Sequence, residues 1–106
     1  MNDANRSPAS DDRSVSRNDV SYRVRGFGPS AEPLTLRILN MSALGLMAYR
    51  DAPLQPGDRL RLTLPVVGVV AAEVRWVKED RLGCELDRPI PLGNYYEMLA
   101  TMIEDI

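Results

Sequence analysis

From residue 20 onward large apolar side chains recur at every second position, the period of a strand that buries one face and wets the other. Val20, Tyr22 and Val24 alternate with Ser21, Arg23 and Arg25, which predicts a first strand. Gly26-Phe27-Gly28-Pro29-Ser30 breaks the pattern with turn formers, and Leu34 to Leu39 predicts a second strand ending at Asn40. Gly45 to Tyr49 gives a short third strand, followed by a loop through Pro53, Pro56 and Gly57. The clearest alternation comes next, with Leu60, Leu62 and Leu64 on one face and Arg59, Arg61 and Thr63 on the other. Gly68 to Val77 and Leu82 to Leu86 complete the set, the latter with Cys84 inward and Glu85 outward. Trp76 is in phase with Val70, Ala72 and Val74 and is therefore expected inside.

At the end of the chain the period changes from two to that of a helix. Asn94 and Glu97 have the spacing of an N-cap and its capping-box partner, and Tyr95, Met98, Leu99, Met102, Ile103 and Ile106 share one helical face. Such a helix is expected to cover an open end or flank of the strands. Six short strands joined by Gly/Pro turns predict a mainly β fold with a C-terminal α-helix, the strands forming a small six-stranded antiparallel β-barrel or a closed sandwich. Residues 1–18 are polar and hold too little apolar surface to offset the entropy of ordering. They are expected to form a flexible tail preceding a barrel domain over 19–106.

With 106 residues and 44% apolar side chains, the chain is expected to form one domain. A net charge of −2 argues against a general nucleic-acid binder. One cysteine, Cys84, allows no internal disulfide and points to a reducing compartment. Histidine is absent, which leaves no Cys/His metal cluster, and the carboxylates fall on outward faces. A non-enzyme with no catalytic residues and no metal ligands is therefore expected. No apolar run could serve as a signal-peptide core or span a bilayer, so the expected location is soluble and cytoplasmic. Twelve of the thirteen basic residues are arginine, which suits planar recognition of bases and phosphates and equally follows from GC-rich codons.

Two polar patterns bracket the first two strands. Arg13-Ser14-Val15-Ser16-Arg17 precedes the first, and Asn40-Met41-Ser42-Ala43-Leu44-Gly45 closes the second. An Arg-x-x-x-Arg pair arises by chance roughly once in a chain of this composition, whereas Asn-x-Ser-x-x-Gly is far rarer. Antiparallel pairing of the two strands would bring both patterns to one rim. Arginine forks can bond the O6/N7 edge of guanine or grip phosphate oxygens. Asn40 and Ser42 add short polar side chains, and Gly45 presents no side chain to a ligand approaching the backbone.

Further along come a Pro56-Gly57 turn before the leucine-alternating strand, a Val-Arg-Trp-Val run at 74–77 and a closing Gly-Cys-Glu-Leu run at 83–86. With these patterns in this order, the chain from Arg13 to the C-terminal helix resembles the PilZ domains, small bacterial β-barrel receptors for cyclic di-GMP. The resemblance implies that Arg13 and Arg17 hold guanine edges and phosphates, while Asn40, Ser42 and Gly45 form the opposite wall. It implies cyclic di-GMP as the ligand and no further cofactor. Binding would fold the arginine segment over the barrel and alter the surface offered to an unidentified protein effector, with neither nucleic acid nor membrane as partner. A second reading is a ligand-independent PilZ-like interaction module that has lost nucleotide affinity. Asp11-Asp12, beside the first arginine, would weaken the field that attracts a dianion.

Overall fold

The computed structural model describes residues 17–50 and 52–104. Its elements in chain order are β1 (Asn18–Phe27), β2 (Pro33–Met41), β3 (Gly45–Tyr49), β4 (Arg59–Leu64), β5 (Gly68–Lys78), β6 (Arg81–Leu86) and α1 (Leu92–Glu104). The six strands close into a barrel in the order β1-β2-β3-β6-β5-β4, and every neighbouring pair is antiparallel. The ring is completed between β1 and β4 by only two residue pairs, Gly26 with Leu62 and Phe27 with Arg61.

Alternation decides which face each strand buries. In β4 it is strict, with Leu60, Leu62 and Leu64 inside and Arg59, Arg61 and Thr63 exposed. Leu36, Ile38 and Met41 from β2, Leu82 from β6 and Val74 from β5 meet them in one continuous core. Each such side chain contributes about 1.5–3 kcal/mol by leaving water. On the outer face charges pair laterally, as Arg59 does with Asp87 and with Glu73.

The expected inward position of Trp76 is corrected by a β-bulge. Val74 pairs with Cys84, but the next pair on β5 is Trp76 with Gly83, so the ladder slips by one residue. An extra residue on one strand reverses the facing of everything beyond it. Arg75 and Trp76 consequently both point outward, and Trp76 is 42% exposed.

The helix also differs from expectation at its start. The amide of Tyr95 donates to the Pro91 carbonyl at 2.8 Å, so α1 begins at Leu92 and Asn94 already lies in its first turn. Proline has no N–H to satisfy, so it sits without cost where a helix starts. Tyr95, Met98, Leu99 and Met102 are buried in the barrel core, the i, i+3, i+4, i+7 spacing of one helical face. Ile103, assigned to that face from its spacing, lies outside the buried arc and is 49% exposed, and Ile106 lies outside the described residues. No described helix is long and apolar enough to cross a membrane.

Candidate functional site

At the rim where β1 begins and β2 ends, Asp19 pairs with Asn40 and Asn18 with Met41. This register places the first residue before β1, Arg17, beside Asn40. Arg17 Nη1 donates to Asn40 Oδ1 at 3.0 Å, linking positions 23 residues apart. On its other side Asn40 Nδ2 donates to Asp19 Oδ1 at 3.1 Å. A carboxylate only accepts, so Asp19 fixes the orientation of the amide and turns Oδ1 toward the arginine.

Below this exposed cluster, residues 42–45 form a tight turn built around a buried hydroxyl. Ser42 is 2% exposed, and its Oγ accepts hydrogen bonds from the amides of Leu44 at 3.1 Å and Gly45 at 3.2 Å. The Ser42 amide donates in return to the Gly45 carbonyl at 2.9 Å. Two further bonds anchor the turn from outside it: Leu86 N–H to the Leu44 carbonyl and Ile90 N–H to the Ala43 carbonyl, both 2.8 Å. Gly45 sits where β6 comes closest. A Cβ built there would overlap the Cys84 carbonyl oxygen, so the approach that glycine permits is that of the neighbouring strand.

The five residues singled out from the sequence therefore separate. Arg17 and Asn40 meet at the surface, Ser42 and Gly45 shape the turn that carries Asn40, and Arg13 lies outside the described residues. Two contributors were missing from the sequence reading. Asp19 orients Asn40, and the Tyr95 hydroxyl lies 2.7 Å from Asn18 Oδ1 and 3.1 Å from the Met41 carbonyl, fastening α1 to both strands of the rim. Neither link spans a recognisable motif; the second joins residues 77 and 54 positions apart. Burial raises the pKa of the Tyr95 phenol, with a smaller push from Tyr96, so the hydroxyl stays protonated and able to donate.

The outer wall continues from this rim as a basic surface. Arg23 pairs with Arg37, Arg37 with Tyr49, Tyr49 with Arg81, and Arg81 with Lys78, which sets four cations and one aromatic in a lateral row across five strands. The Arg81 guanidinium lies 5.4 Å from the centre of the Tyr49 ring, within cation–π range. A shallow hollow of about 320 Å³ opens here, lined by Arg23, Thr35, Arg37, Tyr49, Arg50 and Asp80. Its wall is polar, with three arginines against one aspartate, which suits an anion better than an apolar ligand.

A closed six-stranded barrel with a capping helix and an arginine–asparagine rim defines a small binding module. The PilZ domain family model matches residues 11–105, nearly the whole chain, and the protein belongs to that family of cyclic di-GMP receptors. No curated protein matches the chain in sequence.

Proposed function

We propose that this domain binds cyclic di-GMP at the rim formed by Arg17 and Asn40, with Arg13 joining from the preceding segment. The observation that carries the reading is the 3.0 Å bond between Arg17 and Asn40, which puts one residue from each motif at the same point of the barrel. In the free protein this bond acts as a latch. Binding exchanges it: the Arg17 fork turns to a guanine O6/N7 edge or a phosphate, and the freed Asn40 oxygen accepts from guanine N1–H or N2–H. Ser42 and Gly45 serve by holding the turn, since Ser42 is buried and its oxygen is already engaged by two amides.

Phosphate charge is met by the basic wall beside the rim, where Arg23, Arg37 and Arg81 face outward. Drawing the segment that carries Arg13 against the barrel changes the surface presented to a protein partner, and such ordering costs about 2–5 kcal/mol of the gross interaction. Micromolar or somewhat tighter affinity follows. The protein acts as a receptor and catalyses nothing.

Calorimetric titration with cyclic di-GMP, alongside Arg17→Ala and an Arg13→Ala/Arg17→Ala double variant, tests this reading. Saturable heat in the wild type that weakens in the first variant and vanishes in the second is expected. Absence of heat at millimolar ligand, with a folded protein, would leave the ligand-independent interaction module as the better account.

A further inference from the structure

The end of β1 remote from the rim carries a second surface. Phe27 is 51% exposed there, at the far end of a ten-residue strand and roughly 30 Å from Asn18. Hollows of about 560 and 480 Å³ open on its two sides. The larger runs between the loop after β1 and the start of β4, with Leu60 and Ala71 in its apolar lining. Val69, 65% exposed and on the same face of β5 as Ala71, extends the apolar surface.

Backbone is left unpaired at the same place. The β1–β4 ladder stops at Phe27 and Arg61, so Leu60 and Arg59 have strand partners only on the β5 side, Ala72 and Glu73. Beyond Phe27 the chain turns back on itself: the Gly28 amide donates to the Glu32 carbonyl at 2.8 Å, and the Ala31 amide to the Gly28 carbonyl at 3.0 Å. Arg59 and Leu60 thus present an open strand edge inside the larger hollow, a template for another extended chain. The opposite wall is fixed in advance. Ala31 is held at φ 64°, a left-handed conformation uncommon for a residue with a Cβ, and Glu32 Oε1 pins the loop by accepting from the Ser30 amide at 2.7 Å. A wall so set needs little further ordering when a ligand enters.

Charge selects the occupant. Arg25, Arg59 and Arg61 line the two hollows, and no acid does. Arg59 is engaged by Asp87 and Glu73, whereas the exposed Arg25 and Arg61 pair with no acid among the described residues. We infer that this groove docks an extended, acidic peptide segment of a partner protein. The segment's backbone adds to the β4 edge at Arg59 and Leu60, a large apolar side chain packs against Phe27, and carboxylates meet Arg25 and Arg61. Main-chain bonds to an edge supply affinity, and alternate side chains supply specificity. A nucleic acid has no backbone amides to offer that edge and draws its affinity from more cations than two. Neither motif of the rim contributes a residue, so the inference stands apart from the cyclic di-GMP reading.

Selection of a random dodecapeptide library, displayed on phage, against the immobilised protein tests the groove. Enriched peptides are expected to alternate acidic with large apolar residues and, made synthetically, to shift the amide resonances of Phe27, Gly28, Leu60 and Arg61 in the isotope-labelled protein. Phe27→Ser is expected to weaken that binding about tenfold or more. Arg61→Glu is expected to select basic peptides instead, a reversal that an unfolded variant could not produce. No enrichment over a blank surface, enrichment indifferent to both substitutions, or resonance shifts elsewhere on the barrel would overturn the proposal. So would shifts of these resonances by a single-stranded DNA dodecamer and by no selected peptide, which would make the groove a nucleic-acid site. Self-association in sedimentation that Phe27→Ser abolishes would overturn it in favour of a second copy.

Discussion

Tyr95 reaches from the first turn of α1 to the carbonyl of Met41, donating a hydrogen bond of 3.1 Å between the capping helix and the residue that separates Asn40 from Ser42. The same hydroxyl touches the side chain of Asn18, the neighbour of Arg17. One phenol thus fixes the positions of both halves of the rim, although its own ring is buried in the core.

Replacing Tyr95 with phenylalanine keeps the packing and removes the donor. The Met41 carbonyl then loses a partner in a buried setting, a change that costs about 1–3 kcal/mol. Urea denaturation is expected to show a lower midpoint with an unchanged slope, and the affinity for cyclic di-GMP is expected to fall a few-fold as the rim loosens.

Ser42→Ala leaves the Leu44 and Gly45 amides without the oxygen they share. A loss of about 1–3 kcal/mol is expected in chemical denaturation. Gly45→Ala forces β3 away from the Cys84 carbonyl, and the strain is expected to cost about 1–3 kcal/mol. Both variants should bind ligand less well through displacement of Asn40, and stabilising them with sub-denaturing osmolyte should restore part of the affinity.

Asn40→Asp gives guanine N1–H and N2–H a carboxylate to pair with, but sets that carboxylate against Asp19, which now accepts from the Asn40 amide at 3.1 Å. Like charges so placed repel. The single variant is expected to be less stable than wild type near neutral pH, and the Asp19→Asn/Asn40→Asp exchange to recover stability and bind cyclic di-GMP more tightly than the natural pair. Parallel thermal melts and calorimetry check both halves.

Burial pushes the Cys84 thiol from 9.0 up to about 12. The folded state thus favours the protonated form, and this contribution to stability is complete below about pH 9. Above it the unfolded chain releases a proton that the folded chain retains, so stability falls as pH rises from about 9 toward 12. Aromatic-disulfide reagents at pH 8 are expected to leave the native thiol unmodified and to titrate one thiol per chain in denaturant.

The barrel was readable because its strands alternate strongly. Leu60, Leu62 and Leu64 could face only one way, and Gly45–Tyr49 has the bounds its composition suggested. The same rule misplaced Trp76, since a bulge is a slip between two strands and leaves no mark in the period of either one. Asn94 looked like a cap because the spacing of Asn and Glu was right, yet the carbonyl that starts the helix belongs to Pro91. At the site, the motifs pointed to one shared rim, but the contact of Arg17 with Asn40 and the separate tasks of Asn40 and Ser42 came from register and burial, which a motif does not encode.

The two-pair junction between β1 and β4 bears on how the molecule could associate with copies of itself. Every other seam is a longer ladder, so parting this one breaks the fewest backbone bonds and frees two strand edges whose complements exist on each copy. Association between copies is therefore least costly by pairing β1 of one opened barrel with β4 of another, while the long β1–β2 ladder stays intact, and a crosslink between positions 27 and 61 would lock each barrel as a separate body.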